Sequence, residues 1–169
     1  MIVFLVGESS VSYTSSDIKT QKVKYARILG FSQRHAMVKL GFIGAGKMAY
    51  ALIKSIQRSG LEASITASAR TDERLRYIRN DANVNITKDN KEVVRSSDIV
   101  FLCVKPKDIG NVLGEIKGII TNNHIVVSIA AGITLSYLES KLKGKKVVRA
   151  MPNIPCMVNA MAAGYSAGR

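Results

Sequence analysis

Several absences narrow the possibilities before any motif is weighed. No apolar run is long enough to cross a bilayer, so no membrane-spanning helix is expected. Met1–Val6 is apolar, yet it has neither a basic leader nor a full-length hydrophobic segment, and reads as a poor signal peptide. There are two cysteines, Cys103 and Cys156, without C-x-x-C spacing. Cys103 falls inside an expected buried strand and serves there as a small core residue. The two histidines, His35 and His124, are far apart and lack ligand spacing, so no metal centre is expected. No serine stands in a nucleophile-elbow context, and there is no internal repeat or low-complexity tract. These features together favour a soluble cytoplasmic protein.

Acidic residues are also scarce. Twelve Asp and Glu face 25 Lys and Arg, a formal net charge of +13. Residues 1–36 contribute Lys19, Lys22, Lys24, Arg27 and Arg34 against Glu8 and Asp17, a net +3, so +10 belongs to the remainder. That charge is scattered along expected surface helices, with no dense basic block or interleaved aromatics of the kind that grip nucleic acid. A solvated surface beside a phosphate-rich small ligand is the preferred account.

A length of 169 residues with a hydrophobic fraction of 47% suits one domain, or one domain with an appendage. The appendage is residues 1–36, a Ser/Thr-rich then basic stretch unlike the patterned chain from Met37 onward. It reads as a flexible arm or as an upstream segment included by a misassigned start.

From Met37 the pattern changes. Val38, Leu40, Phe42 and Ile43 form a short apolar strand, and Gly44, Gly46 and Ala49 come next in the spacing G-x-G-x-x-A. Met48, Ala49, Leu52, Ile53 and Ile56 then recur at helical spacing up to Gly60, a natural stop. Gly44 permits a tight turn, Gly46 leaves room for a pyrophosphate against the backbone, and Ala49 lets helix and sheet approach. The helix mouth presents free N–H groups and a positive dipole end to phosphate. The segment Ile43–Met48 is therefore the expected dinucleotide diphosphate site.

Ala63–Ala67 is the expected second strand. An NAD-specific site carries an acid at its end to bond the ribose 2′-hydroxyl. Here that end reads Ser68, Ala69, Arg70, Thr71, and Ser68 with Arg70 can instead clasp a 2′-phosphate. NADP is preferred to NAD on this ground, although Arg70 could also be a surface residue beside Asp72 and Glu73.

Further along, Thr71 is placed to cap a helix containing Leu75 and Ile78, Val84–Thr87 is a third strand, and Asn90–Arg95 is one or two helical turns. Asp98–Val104 is a fourth strand, ended by Lys105-Pro106, and Pro106 opens a helix bearing Ile109, Val112, Leu113 and Ile116 that closes near Gly118. Lys105 is open to two readings, a charge partner for an anion or a solvated residue at a strand end. Ile125–Ala130 is a fifth strand, Thr134 caps a helix with Leu135, Leu138 and Leu142, and Lys146–Ala150 is a sixth strand. Met151–Pro155 carries two prolines three apart and reads as a rigid turn.

This alternation predicts an α/β fold, a Rossmann-like, doubly wound and mainly parallel sheet of about six strands flanked by helices, with ligand bound beyond the strands' carboxyl ends. The unusual residues fall at those ends: Gly44–Met48, Ser68–Thr71, Val104–Pro106, Ala130–Gly132 and Met151–Pro155.

Gly41-Phe-Ile-Gly-Ala-Gly-Lys-Met-Ala49, Asp89-Asn-Lys-Glu92, Asp98-Ile-Val-Phe-Leu-Cys-Val-Lys-Pro106, Ser128-Ile-Ala-Ala-Gly-Ile133 and Arg149-Ala-Met-Pro-Asn-Ile-Pro155 occur in this order. In this set, from about Lys39 onward, the chain resembles the pyrroline-5-carboxylate reductases, NAD(P)H-dependent enzymes of proline biosynthesis. The resemblance implies that Ile43, Gly44, Ala45, Gly46, Lys47 and Met48 hold the pyrophosphate and Ser68 and Arg70 the adenosine phosphate end. Asn90 matches a cofactor-contacting position, while Val104, Lys105, Pro106 and Ala130 flank the nicotinamide side. Met151, Pro152, Asn153 and Pro155 would shape the floor near the substrate, 1-pyrroline-5-carboxylate, which NADPH reduces to L-proline. Ile154 replaces the usual polar residue of Met-Pro-Asn-Thr-Pro, and Asn159 replaces a common glycine. Family members carry a helical C-terminal domain that makes the homodimer and supplies much of the substrate pocket. Catalytic residues are expected in that domain, which has no counterpart before Arg169. Two other readings stay open: a non-catalytic NADP-binding module or truncated orphan, and another NADP-dependent oxidoreductase of similar fold.

Overall fold

The computed structural model describes residues 3–5, 37–152 and 162–168. From Val38 strands and helices alternate: β2 Val38–Ile43, α1 Lys47–Arg58, β3 Ala63–Ser68, α2 Asp72–Ala82, β4 Asn85–Thr87, α3 Asn90–Arg95 and β5 Ile99–Leu102. A 3-10 turn, Pro106–Asp108, then leads into α4 Ile109–Ile116, followed by β6 Ile125–Ser128, α5 Leu135–Lys141 and β7 Lys146–Pro152. Two further strands, β1 Val3–Leu5 and β8 Ala162–Ala167, join the far edge.

The eight strands among the described residues form one sheet in the order β1-β8-β7-β6-β5-β2-β3-β4. Every pairing is parallel except β7 with β8. β2 pairs with β3 on one side and β5 on the other, so the chain reverses direction across the sheet there. In a doubly wound sheet that reversal opens the ligand crevice at the carboxyl ends.

The period-2 alternation of β2 divides its side chains between the two faces. Leu40 and Phe42 join Ala49, Leu52 and Ile53 of α1 and Ile78 of α2 in one core cluster. Ile43 joins Val93, Val94, Val100, Leu102, Leu113 and Leu138 in the other, beneath α3, α4 and α5. Phe42 and Phe101, paired across β2 and β5, stack with ring centroids 4.8 Å apart. At Gly41 α3 comes so close that an added Cβ would lie 2.5 Å from Ser97 Oγ and 2.7 Å from Val93 Cγ1. That close approach is why a glycine interrupts a strand of otherwise good strand formers. On the outer surface, Tyr50 donates to Asp81, which also accepts Lys54 at 3.2 Å, fastening α1 to α2.

The expected helix starts are present, with one change. Thr134 accepts from the amide of Tyr137 at 3.2 Å and caps α5, and Asp89 caps α3 by accepting from Lys91 N at 2.8 Å. Thr71 occupies the position before α2, but its side chain makes no cap bond. The acids Asp72 and Glu73 in the first turn complement the helix dipole in its place. α4 ends at Ile116, two residues before the expected stop at Gly118.

The rigid turn expected from Met151 is corrected at its start. β7 runs through Pro152, and Met151 and Pro152 lie opposite Gly164 and Ala163 on antiparallel β8. A proline's fixed φ suits an extended strand, and at the last residue its missing N–H interrupts no interior ladder. Asn153, Ile154, Pro155, Cys156 and Asn159 lie outside the described residues.

Candidate functional site

Because β2, β3, β5, β6 and β7 are mutually parallel, the segments at their carboxyl ends emerge on one edge of the sheet. Gly44 follows β2, Arg70 follows β3, Pro106 follows β5, Ala130 follows β6, and Pro152 ends β7. The sequence-predicted site residues within the described region thus share that edge.

The turn after β2 is held from both sides. The amides of Gly44 and Ala45 donate to the carbonyl of Ser68 at 3.0 and 2.9 Å, and Gly46 N donates to Gly44 O at 2.9 Å. Cys103 N donates to Ile43 O at 2.8 Å on the β5 side. Gly44 has a φ of +97°, and a Cβ there would lie 2.9 Å from both Cys103 C and Val104 N. Backbone conformation and backbone contact therefore both require glycine at this position.

Gly46 is different. Its φ of −85° and ψ of −176° suit any residue. A Cβ built on it meets no atom within 4 Å. Nothing in the folded chain asks for glycine there, whereas a ligand lying against the backbone would. Gly46 is also the N-cap of α1, provides no side-chain cap bond, and is followed by a first turn without an acid. The twelve-residue helix thus presents its N-terminal amides outward with no resident acceptor or anion from the cap or first turn. Ala45 is buried beneath it and Ile43 is buried on the opposite face of the sheet, while Met48 is half-buried and Lys47 is exposed at the rim of the helix. Ala49 is fully buried against the sheet.

At the end of β3 the two expected phosphate ligands point in different directions. Ser68 is buried and donates through Oγ to Asn90 Oδ1 at 2.6 Å, while Asn90 Nδ2 donates to Glu115 at 2.8 Å. Ser68 and Asn90 together brace the β3 end against α3 and α4. Arg70 instead extends into solvent and pairs with Asp108 at 2.7 Å. The hydrogen bond from Arg70 holds the Asp108 carboxyl below the ordinary carboxylate range.

Beyond β5, Val104 is half-buried under Gly44, and Lys105 and Pro106 are exposed. Cys103 packs against the core, and desolvation pushes its thiol pKa well up, away from nucleophilic use. Ile129 N donates to Leu102 O at 3.2 Å, which draws buried Ala130 toward the β5 end. Met151 is exposed, and Arg149 reaches back from β7 to Ile133 O at 2.9 Å and to the Met151 sulfur at 3.2 Å. His124 stands elsewhere, accepting from Thr121 N at 2.9 Å through Nδ1 and facing Val94 O at 3.2 Å through Nε2, a loop fastener. A cavity of about 490 Å³ lies between α4 and α5, lined by Gly110, Leu113, Gly114, Lys117, Tyr137 and Lys141. It is a surface groove between helices and collects none of the convergent backbone donors, so the strand-end crevice is the better candidate.

Among the described residues no group of three or more His, Cys, Asp or Glu is arranged to hold a metal ion. No described helix is long and apolar enough to cross a membrane.

Residues 39–132, which contain the glycine turn, the β3 end and the Val104–Pro106 segment, match the model of the family described as NADP oxidoreductase, coenzyme F420-dependent. The chain belongs to that family. A pyrroline-5-carboxylate reductase of Methanosarcina acetivorans is 40% identical over 134 residues, covering 78% of this chain and 50% of the relative. The solved pyrroline-5-carboxylate reductase of Coxiella burnetii superposes with a TM-score of 0.74 at 33% identity, over 79% of this chain and 51% of that one. The Plasmodium falciparum pyrroline carboxylate reductase, solved with NADP bound, superposes with a TM-score of 0.70 at 28% identity, over 79% and 50%. The resemblance to pyrroline-5-carboxylate reductases drawn from the motifs is thus shown, as is the Rossmann-like fold. The chain spans about half the length of the curated relatives it matches.

Asp108 and Glu115 are the site-edge residues that sequence reasoning did not identify. Asp108 is 38 positions from Arg70, and only the strand order β5-β2-β3 brings them together.

Proposed function

We propose that this chain binds NADP across the carboxyl edge of its sheet and is the cofactor-binding part of a pyrroline-5-carboxylate reductase. The observation that carries the first half is Gly46, a glycine that neither backbone conformation nor packing requires, at the uncapped mouth of α1. The residues present fit a dinucleotide diphosphate there: Lys47 and Met48 offer first-turn amides, and Lys47 adds a flexible cation. Arg70 fits the 2′-phosphate, with Ser68 and Asn90 bracing the strand end from which it projects. Val104, Lys105, Pro106 and Ala130 line the nicotinamide side and Met151 and Pro152 lie toward the substrate, a role the resemblance extends to Asn153 and Pro155. When bound, the nicotinamide would supply a hydride to the C=N carbon of 1-pyrroline-5-carboxylate, and a proton taken up at the ring nitrogen would complete L-proline. The protein's own part is to fix the dinucleotide and keep the reacting face oriented.

The substrate assignment is supported by relatives of that name at 39–44% identity and by the ordered Val-Lys-Pro, Ala-Ala-Gly and Met-Pro-Asn-Ile-Pro motifs. A second reading, another NADP-dependent oxidoreductase of this family, is favoured by one observation. The family match ends at residue 132, before the Met151–Pro155 motif that would face the substrate. We further infer that residues 37–169 form the cofactor-binding unit and residues 1–36 an extension. In this reading the protein is cytoplasmic, and the complete enzyme assembles as a homo-oligomer through a C-terminal domain.

NADPH fluorescence titration of the chain, beside a Gly46→Asp variant, tests the cofactor reading. Saturable binding lost by tenfold or more in the variant supports it, and equal binding contradicts it. Proline formation is then measured for the chain alone and with the C-terminal domain of a relative added. Turnover of other imines or hydroxyacids, but not of 1-pyrroline-5-carboxylate, would favour the second reading.

A further inference from the structure

We propose that Asp108 tempers the cofactor preference of this site: it holds Arg70 across the end of β3, so that a 2′-phosphate must displace an internal carboxylate to engage the guanidinium. The inference rests on the NADP reading above and goes beyond it by identifying a residue outside the glycine motif and the β3 end.

Three observations carry it. The first is the contact itself, Arg70 Nη2 to Asp108 Oδ1 at 2.7 Å, within the range of a strong charge-assisted bond. The second is its asymmetry. The Asp108 side chain is 17% exposed and that of Arg70 is 75% exposed. Asp108 is also fixed by its backbone, because its amide donates to Lys105 O at 2.9 Å in the turn opened by Pro106. The acid is therefore the fixed partner and the arginine the movable one. The third is the arrangement of the other acids. Asp72, the acid nearest in sequence to the β3 end, is paired with Lys88 at 2.9 Å. The carboxylate facing Arg70 thus comes from the far side of β2, two strand spacings or roughly 10 Å across the sheet.

The resulting chemistry is an exchange of partners. With NADH no 2′-phosphate is present, and Arg70 keeps its carboxylate. With NADPH the phosphate offers more charge and more acceptor oxygens than a carboxylate, and the guanidinium transfers to it. Breaking an exposed ion pair moves an equilibrium by at most roughly fivefold. Asp108 therefore trims NADPH affinity modestly and leaves NADH affinity almost untouched, and the enzyme discriminates between the two less than Arg70 alone would make it.

The test is a set of dissociation constants for NADPH, NADH and 2′,5′-ADP, measured by fluorescence or calorimetry on the full chain. The variants are Asp108→Asn, Asp108→Ser and Arg70→Ala, with Arg70→Ala/Asp108→Asn as the double variant. Asp108→Ser retains a residue suited to a helix start, and circular dichroism confirms that each variant is folded. The expected result is roughly threefold to fivefold tighter NADPH and 2′,5′-ADP binding in both Asp108 variants, with NADH changed less than twofold. The gain should vanish in the Arg70→Ala background. NADPH binding that depends on Arg70 but is unmoved by either Asp108 variant overturns this inference and leaves the NADP reading standing. An equal gain for NADH, or a gain that survives loss of Arg70, also overturns it. A wild-type chain that binds neither dinucleotide overturns both.

Discussion

Gly44 and Gly46 lie two residues apart in one turn, yet the same substitution should act on them in opposite ways. Gly44→Ala places a methyl group at φ +97°, 2.9 Å from Cys103 C and Val104 N and 2.8 Å from Val104 Cγ1. The unfavourable φ costs about 1–3 kcal/mol, and crowding against a packed turn costs about 1–3 kcal/mol more. A central value of about 3 kcal/mol corresponds to a fall of roughly 6–12 °C in Tm for a chain of this size. Gly46→Ala meets nothing within 4 Å at an ordinary φ of −85°. The gain of up to about 1 kcal/mol through the unfolded chain is opposed by Ala's poorer standing as an N-cap, so stability should change by no more than about 1 kcal/mol. The same methyl stands where the diphosphate is proposed to lie, so NADPH affinity should fall by roughly tenfold or more. Urea denaturation and NADPH titration of both variants make the assay. The reasoning fails if Gly44→Ala unfolds at the wild-type midpoint. It fails equally if Gly46→Ala loses well over about 1 kcal/mol of stability while keeping its affinity.

The same geometry has other consequences. Ser55 is buried on α1 with a hydroxyl that has no hydrogen-bond partner, so Ser55→Ala should stabilise the chain by about 1 kcal/mol, read as a higher urea midpoint. The Tyr50 phenol, donating to Asp81, has its pKa raised from 10.0 to about 12. Being raised in the folded state, it contributes stability that is complete below pH 10 and is lost as pH climbs toward 12. The stability difference between wild type and Tyr50→Phe should hold steady from neutral pH to about 10 and shrink above it, and a difference growing through that alkaline range would contradict the assignment. Removing residues 1–36 takes away β1, five strands from β2 and roughly 24 Å away. NADPH affinity of the truncated chain should stay within about twofold of the full chain by direct titration, as expected for groups so distant.

Much of the fold was legible because apolar residues repeat with unmistakable periods. β2 with α1, and β5 with α4, show the switch from strand to helix within a few residues, and glycine or proline stands at each joint. β8 was not legible, because Ala162–Ala167 consists mostly of small residues with no alternation to mark a strand. Pro152 argued for a turn, and only pairing with β8 showed that a strand could end on it. Within the site, the glycine turn was readable because its chemistry is local and carried by adjacent residues. The Ser68–Asn90–Glu115 chain and the Arg70–Asp108 pair were not, because both join elements far apart in sequence. Sequence placed Ser68 and Arg70 side by side as one clasp. The end of β3 instead directs one inward and the other to solvent.

The most direct test of the central claim is a crystal structure of the chain with NADP, read at the first turn of α1. The account predicts diphosphate oxygens about 2.7–3.2 Å from the amide nitrogens of Lys47 and Met48, lying over Gly46. A dinucleotide seated in the groove between α4 and α5, or a diphosphate out of reach of those amides, would contradict it.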